Sequence, residues 1–127
     1  MIAMNNMRHI TELKENQVFI FGSNLQGNHA GGAAKQALDH FGARQGQAIG
    51  FQGQSYAIPT LDARYKKIPL EEIKKDLELL VKMAELYSEK EFLLTPIGTG
   101  IAGYSMKDLE NILPALPSNI IPLWKKN

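Results

Sequence analysis

The sequence contains no cysteine. That absence excludes a disulfide framework, a thiol nucleophile and any cysteine-ligated zinc, and it makes a reducing cytoplasm the expected setting. An excess of either charge is missing too, since 14 Lys and Arg stand against 13 Asp and Glu. Non-specific affinity for nucleic acid comes mainly from many Lys and Arg contacts to phosphates, so duplex DNA binding is not expected. The pairs Lys66-Lys67 and Lys125-Lys126 are too short to make a basic stripe. No uninterrupted apolar run approaches the roughly 20 residues that a membrane-spanning helix requires, so no membrane partner is expected. The opening Met1-Ile-Ala-Met-Asn-Asn-Met-Arg8 has no long apolar stretch behind a cationic start and does not read as a secretion signal. It is expected to be a loose tail over residues 1–8, ahead of one domain over residues 9–127. His9 and His40 have no acidic or histidine partner at ligand spacing, and neither a metal site nor a cofactor is expected.

What remains is ordinary globular composition, 44% hydrophobic and 21% charged. A chain of this size can bury roughly two-thirds of its unfolded surface, enough for one core. Val18-Phe-Ile-Phe21 is β-branched and aromatic and stops at Gly22, which predicts a buried strand running into a polar, glycine-studded loop. Ala34, Ala37, Leu38 and Phe41 then follow helical spacing, and Gly42 supplies a C-terminal stop. The Gly- and Gln-rich stretch from Ala43 to Gly53 has neither period and reads as a flexible rim. Ser55-Tyr-Ala-Ile58 is a short second strand closed by Pro59. Leu70, Ile73, Leu77, Leu80, Val81, Ala84 and Tyr87 mark the apolar face of a long helix, with Pro69, Glu71 and Glu72 suited to its first turn. Phe92-Leu-Leu-Thr-Pro-Ile97 is a third strand. Ser105 and Asp108 resemble a capping box before Leu109, Ile112 and Leu113. Pro114 and Pro117 end that helix, and Asn119 to Trp124 forms a last strand.

This βαβαβαβ order predicts an α/β fold of three layers, α/β/α, around a mostly parallel sheet, because parallel strands need crossovers that cover each sheet face. Ligands in such folds bind beyond the carboxyl ends of the strands. Both glycine loops begin there. The first is Gly22-Ser-Asn-Leu-Gln-Gly-Asn-His-Ala-Gly-Gly32; the second is Gly98-Thr-Gly-Ile-Ala-Gly-Tyr104. A loop that leaves a strand and opens a helix presents unpaired backbone N–H groups, and glycines let an anion approach without a Cβ in the way. Two such loops can clamp a diphosphate. Neither carries the Gly-Lys-Ser/Thr ending of a P-loop, which disfavours nucleoside-triphosphate hydrolysis. Gly98, Gly100 and Gly103 match a dinucleotide fingerprint, but they lie too late in the chain for a full Rossmann half to follow.

With these loops the chain resembles the macrodomain family, whose members bind ADP-ribose and in some branches remove it, or acetyl groups, from proteins or nucleotides. The resemblance covers roughly residues 17 to 124 and is most specific from Leu93 to Tyr104. It implies that Gly22 and Ser23 lead into the site and that Asn24 lies near the ribose closest to the reactive end. Gly31 and Gly32 would face the diphosphate. Gly98, Thr99, Gly100, Ile101, Ala102 and Gly103 would form the second phosphate loop, with Tyr104 beside the distal ribose. Three departures accompany these matches. The adenine-reading Asp has no counterpart in Arg8-His-Ile-Thr-Glu-Leu13, where Glu12 is the available substitute. Ala33-Ala34 and Ala102 stand where different branches carry an Asp.

Each loop residue also has a plainer role. Asn24 suits a turn, Gly31 and Gly32 suit helix packing, and Tyr104 suits either stacking on a ligand or filling the gap before the helix. His29 is an acid, base or phosphate donor, or a solvated loop residue. Asp62, just beyond a strand, is the nearest general-base candidate or a solvated turn residue. The expected function is a module binding ADP-ribose or a related nucleotide. The alternatives are a hydrolase acting on ADP-ribosylated protein or nucleic acid, through Asn24 with His29 or Asp62, and an interaction domain that has lost its ligand. A bacterial or a phage genome fits a domain of this size equally.

Overall fold

The computed structural model describes residues 10–125. The expected tail over residues 1–8, His9 and Lys126 lie outside them. The chain is an α/β protein with a five-stranded, mostly parallel sheet of order β2-β3-β1-β4-β5. Its strands are β1 (Gln17–Asn24), β2 (Gly50–Gln52), β3 (Ser55–Leu61), β4 (Glu91–Leu94) and β5 (Ile120–Pro122). Strands β3, β1, β4 and β5 run parallel, and β2 pairs antiparallel with β3.

β1 is central and packed on both faces, which is why its sequence is a continuous apolar run rather than an alternation. Val18 and Ile20 enter one core with Ile58 of β3 and Leu94 of β4. Phe19 and Phe21 enter a second core with Ala57. Helix α1 (Gly32–His40) covers the second core through Ala34 and Ala37. Helix α2 (Leu70–Leu86) covers the first through Ile73, Leu77, Leu80 and Ala84, at the predicted spacing. Helix α3 (Met106–Ile112) adds Leu109 to the same core. Burying each large apolar side chain contributes about 1.5–3 kcal/mol, so the two faces of β1 are held from both sides.

Several boundaries differ from expectation: β4 stops at Leu94 rather than Ile97, and β5 spans Ile120–Pro122 rather than Asn119 to Trp124. β1 continues through Gly22 to Asn24, because β3 still pairs with it there, Gly22 opposite Ile58 and Asn24 opposite Leu61. A Cβ on Gly22 would sit 3.3 Å from Thr60 Oγ1 and 3.5 Å from Ile97 Cβ, so this glycine permits close packing rather than ending the strand. β3 likewise runs through Pro59 to Leu61. The pairing with β2 ends at Ala57 and that edge is paired again only at Thr60 and Leu61, where Ile68 N–H donates to Thr60 O and Leu61 bridges Lys67, so Pro59 falls in the gap with no ladder bond to interrupt. Finally, part of the supposed rim is β2, whose Phe51 ring packs edge-on against Tyr56 at 4.9 Å. Three residues are too few to display a period.

The capping box at α3 is present in both halves: Asp108 N–H donates to Ser105 Oγ and Ser105 N–H donates to Asp108 Oδ2, each at 3.0 Å. Those bonds hold the Asp108 carboxyl below its ordinary pKa, the backbone N–H of Ser105 first. A depressed carboxylate stabilises the fold above its unfolded pKa, and that contribution disappears as pH falls through the folded value. Ser105→Ala should lower stability by about 1 kcal/mol at neutral pH. In denaturant titrations the deficit should shrink below the ordinary Asp range, where Asp108 is protonated in both proteins.

Candidate functional site

From β1 the chain moves to β3 on one side and later to β4 on the other, so the order reverses at the carboxyl end of β1. Side connections diverge at such a point and leave a crevice. There the structure has a cleft of about 790 Å³, within the range of small-molecule sites. Its floor is Gly22, Ser23 and Asn24 of β1, Thr60 and Leu61 of β3, and Thr95 to Ile97 after β4. Both glycine loops border it, the first through Asn28 and Ala30 to Gly32, the second through Gly98 to Ala102.

The main chain around the cleft is rich in unused donors. Gly31 is the N-cap of α1 and provides no side-chain cap, so the first amides of the helix, Gly32, Ala33 and Ala34, have no helical acceptor. In the second loop Gly103 N–H donates to Gly100 O and Tyr104 N–H to Gly98 O. The amides of Gly100, Ile101 and Ala102 have no backbone partner among the described residues. A Cβ on Gly31, Gly32 or Gly100 would meet nothing within 4 Å, so the backbone at these positions borders open space. Among the described residues, no Asp, Glu, Lys or Arg lines the cleft. An anion held there would be neutralised by amide dipoles, with the positive end of α1 contributing.

The residues singled out from sequence therefore separate into two sets. Gly22, Ser23, Asn24, Gly31, Gly32, Gly98, Thr99, Gly100, Ile101 and Ala102 line one cleft. Gly103, Tyr104, His29 and Asp62 are not among its lining residues. Tyr104 packs against the first core, donates its hydroxyl to Ile68 O at 2.7 Å, and lies under Lys67 Nζ at 4.9 Å. Asp62 is in an outer turn, where N–H groups of Arg64 and Lys66 donate to Oδ1 at 2.8 and 3.0 Å. Those backbone bonds, Lys66 first, lower its pKa. Glu12 lines a separate, smaller depression with Gln17 and Glu91.

His29 is neither solvated nor in the cleft. It is 1% exposed and meets Phe21 edge-on at 5.1 Å. Gln52 Oε1 accepts from Arg44 N–H at 2.7 Å while Gln52 Nε2 donates to Gln47 O, which fixes the amide orientation. The His29 Nε2 facing Oε1 at 3.2 Å must then carry the hydrogen and donate. Nδ1 is left buried with no partner among the described residues. His29 thus ties the first loop to β2. Asn24 is also committed locally: its Nδ2 donates to Asn28 O at 2.8 Å and its Oδ1 accepts from Asn28 N–H at 3.1 Å. It shapes the loop that presents Gly31 and Gly32.

Sequence reasoning missed several lining residues. Gln36 and His40 reach the cleft from α1 beside Ile10 and Thr11, and Tyr65 reaches it from the turn after β3. Their i, i+4 spacing places Gln36 and His40 on one helix face, but nothing local says which face meets a cleft.

No protein-family model matches the chain, and no curated protein matches it. A protein of unknown function from Bacteroides thetaiotaomicron is similar in structure, with a TM-score of 0.51 at 15% sequence identity over 80% of each chain. At that identity the likeness concerns the fold alone.

Proposed function

We propose that the chain is a macrodomain-like module that binds ADP-ribose, or a nucleotide derived from it, without turning it over. The observation that carries this reading is the convergence of two sets of uncommitted amides, Gly32 to Ala34 and Gly100 to Ala102, on one cleft that no Asp, Glu, Lys or Arg of the described residues lines. Linked phosphates are the ligand chemistry that such paired cradles suit, because many N–H dipoles share the charge with no fixed cation. The residue matches from Val18 to Gly32 and from Leu93 to Tyr104 favour the α/β/α layering and the ligand of the macrodomain family. A cytoplasmic setting accords with the absence of cysteine.

Binding is favoured over hydrolysis because a general base must reach the attacking water. Neither base singled out from sequence does so: His29 is buried beneath the first loop, and Asp62 is tied into an outer turn. Calorimetry should therefore show saturable ADP-ribose binding. At a hundredfold excess over the dissociation constant, ligand should add about 2.7 kcal/mol to stability, a clear rise in unfolding temperature. Incubation with mono-ADP-ribosylated protein or nucleic acid should release no free ADP-ribose. Silence in both calorimetry and thermal shift at millimolar ligand would defeat the reading in favour of an interaction domain. Release of ADP-ribose would replace the binder with a hydrolase.

A further inference from the structure

Beyond the phosphate cradles the cleft wall draws on two sets of residues of different chemistry. One set is Gln36 and His40 of α1 with Thr11; the other is Asn24 and Asn28 at the end of β1 and in the first loop, with Tyr65 of the turn after β3. Tyr65 is the one residue other than glycine with a positive φ, 63°, among the described residues. A bulky side chain in left-handed backbone is uncommon, since its Cβ crowds the following carbonyl. Such strain persists where the surroundings over-determine it, as at ligand clamps.

The surroundings here do so. Asp62 Oδ1 accepts from Arg64 and Lys66 N–H, Tyr65 N–H donates to Asp62 O at 3.0 Å, and Asp62 N–H donates to Lys66 O at 2.7 Å. Gln26 Nε2 donates to Ala63 O at 2.6 Å, which anchors the turn to the first loop. The Tyr65 hydroxyl donates to Gln26 Oε1 and accepts from Asn28 Nδ2, each at 3.3 Å. Tyr65 is nevertheless 45% exposed and part of the cleft wall. The turn therefore spends several hydrogen bonds on holding one partly bare aromatic ring beside the cleft.

We infer that Tyr65 is a specificity-determining residue that packs its ring against the terminal sugar of the bound nucleotide diphosphate, and that Asp62 is the positioning residue that holds it there. This rests on the proposed ligand class. Amide and phenol groups around an aromatic face, with no fixed charge, match a sugar ring: its hydroxyls exchange hydrogen bonds and its C–H face lies on the ring.

The experiment compares ADP-ribose with ADP, which lacks the terminal sugar, on the wild-type protein and on Y65G, Y65N and Y65F. Glycine and asparagine tolerate the left-handed backbone, so Y65G and Y65N should unfold at or above the wild-type temperature. Both should bind ADP-ribose roughly three- to tenfold more weakly while binding ADP as the wild type does. Y65F should retain the wild-type preference for ADP-ribose. Equal losses for the two ligands, or none, in Y65G and Y65N overturn the assignment of Tyr65 and leave the ligand reading standing. If the wild type binds neither ligand, the ligand reading fails and the assignment with it. If the wild type binds ADP as tightly as ADP-ribose, the sugar contact does not exist.

Discussion

Gly31→Glu is expected to abolish ADP-ribose binding, by at least about a hundredfold, while the protein remains folded. Placing like charges together costs several kcal/mol, and every 1.4 kcal/mol is tenfold in affinity. The position isolates that effect. Gly31 has φ −157° and ψ 168°, extended backbone open to any residue, and a Cβ there would meet nothing within 4 Å. The new carboxylate would stand at the N-terminus of α1, where an anion is favourable for the helix itself. Stability should therefore hold or rise slightly as the amides of Gly32 to Ala34 lose their availability to phosphate. Calorimetry checks the affinity, and circular dichroism with thermal unfolding checks the fold. Wild-type affinity in a folded Gly31→Glu protein would show that these amides hold no phosphate.

The second large effect concerns stability. Gly27→Ala should lower it by about 2–5 kcal/mol, from left-handed strain of about 1–2 kcal/mol together with overpacking of about 1–3 kcal/mol. Gly27 has φ +69°, and its added Cβ would lie 2.4 Å from the Gly46 carbonyl carbon and 2.7 Å from Gln47 N. The close approach exists because Gly46 N–H donates to Gly27 O at 2.8 Å, backbone against backbone. The same seam includes Ser23 Oγ donating to Ala48 O and His29 N–H donating to Gln45 Oε1. A side chain at Gly27 would thus push the first phosphate loop off the segment that braces it, weakening ligand binding along with the fold. Denaturant titration reads the loss of stability. Wild-type stability would mean that this seam yields without strain.

Much of the fold was legible because its signals are local. The spacing of Ile73, Leu77, Leu80 and Ala84 predicts α2 to within a residue at its C-terminus. Ser105 and Asp108 announce the start of α3 by hydrogen bonds spanning three positions. Gly22 and Pro59 misled for the complementary reason. Each is a breaker by its own conformational preference, yet β1 and β3 pass through them because neighbouring strands and a gap in the edge pairing at Pro59 accommodate both. His29 misled similarly: a polar residue between glycines reads as solvated, but Phe21 and Gln52 receive its ring in the interior. Tyr65 gave no signal, because its backbone angle is imposed by the Asp62 turn and its exposure by the cleft.

The amino-acid order alone determined the α/β class, the helical faces and two glycine-rich turns at strand ends, since periodicity, capping and backbone freedom act within a few residues. Only the tertiary structure decided that those turns border one cleft lined by no Asp, Glu, Lys or Arg among the described residues, that His29 and Asp62 stand outside it, and that Tyr65 stands in its wall. Strand order is set by crossover connections and by which faces bury the most apolar surface together. That competition is among distant segments, and no local pattern encodes its outcome.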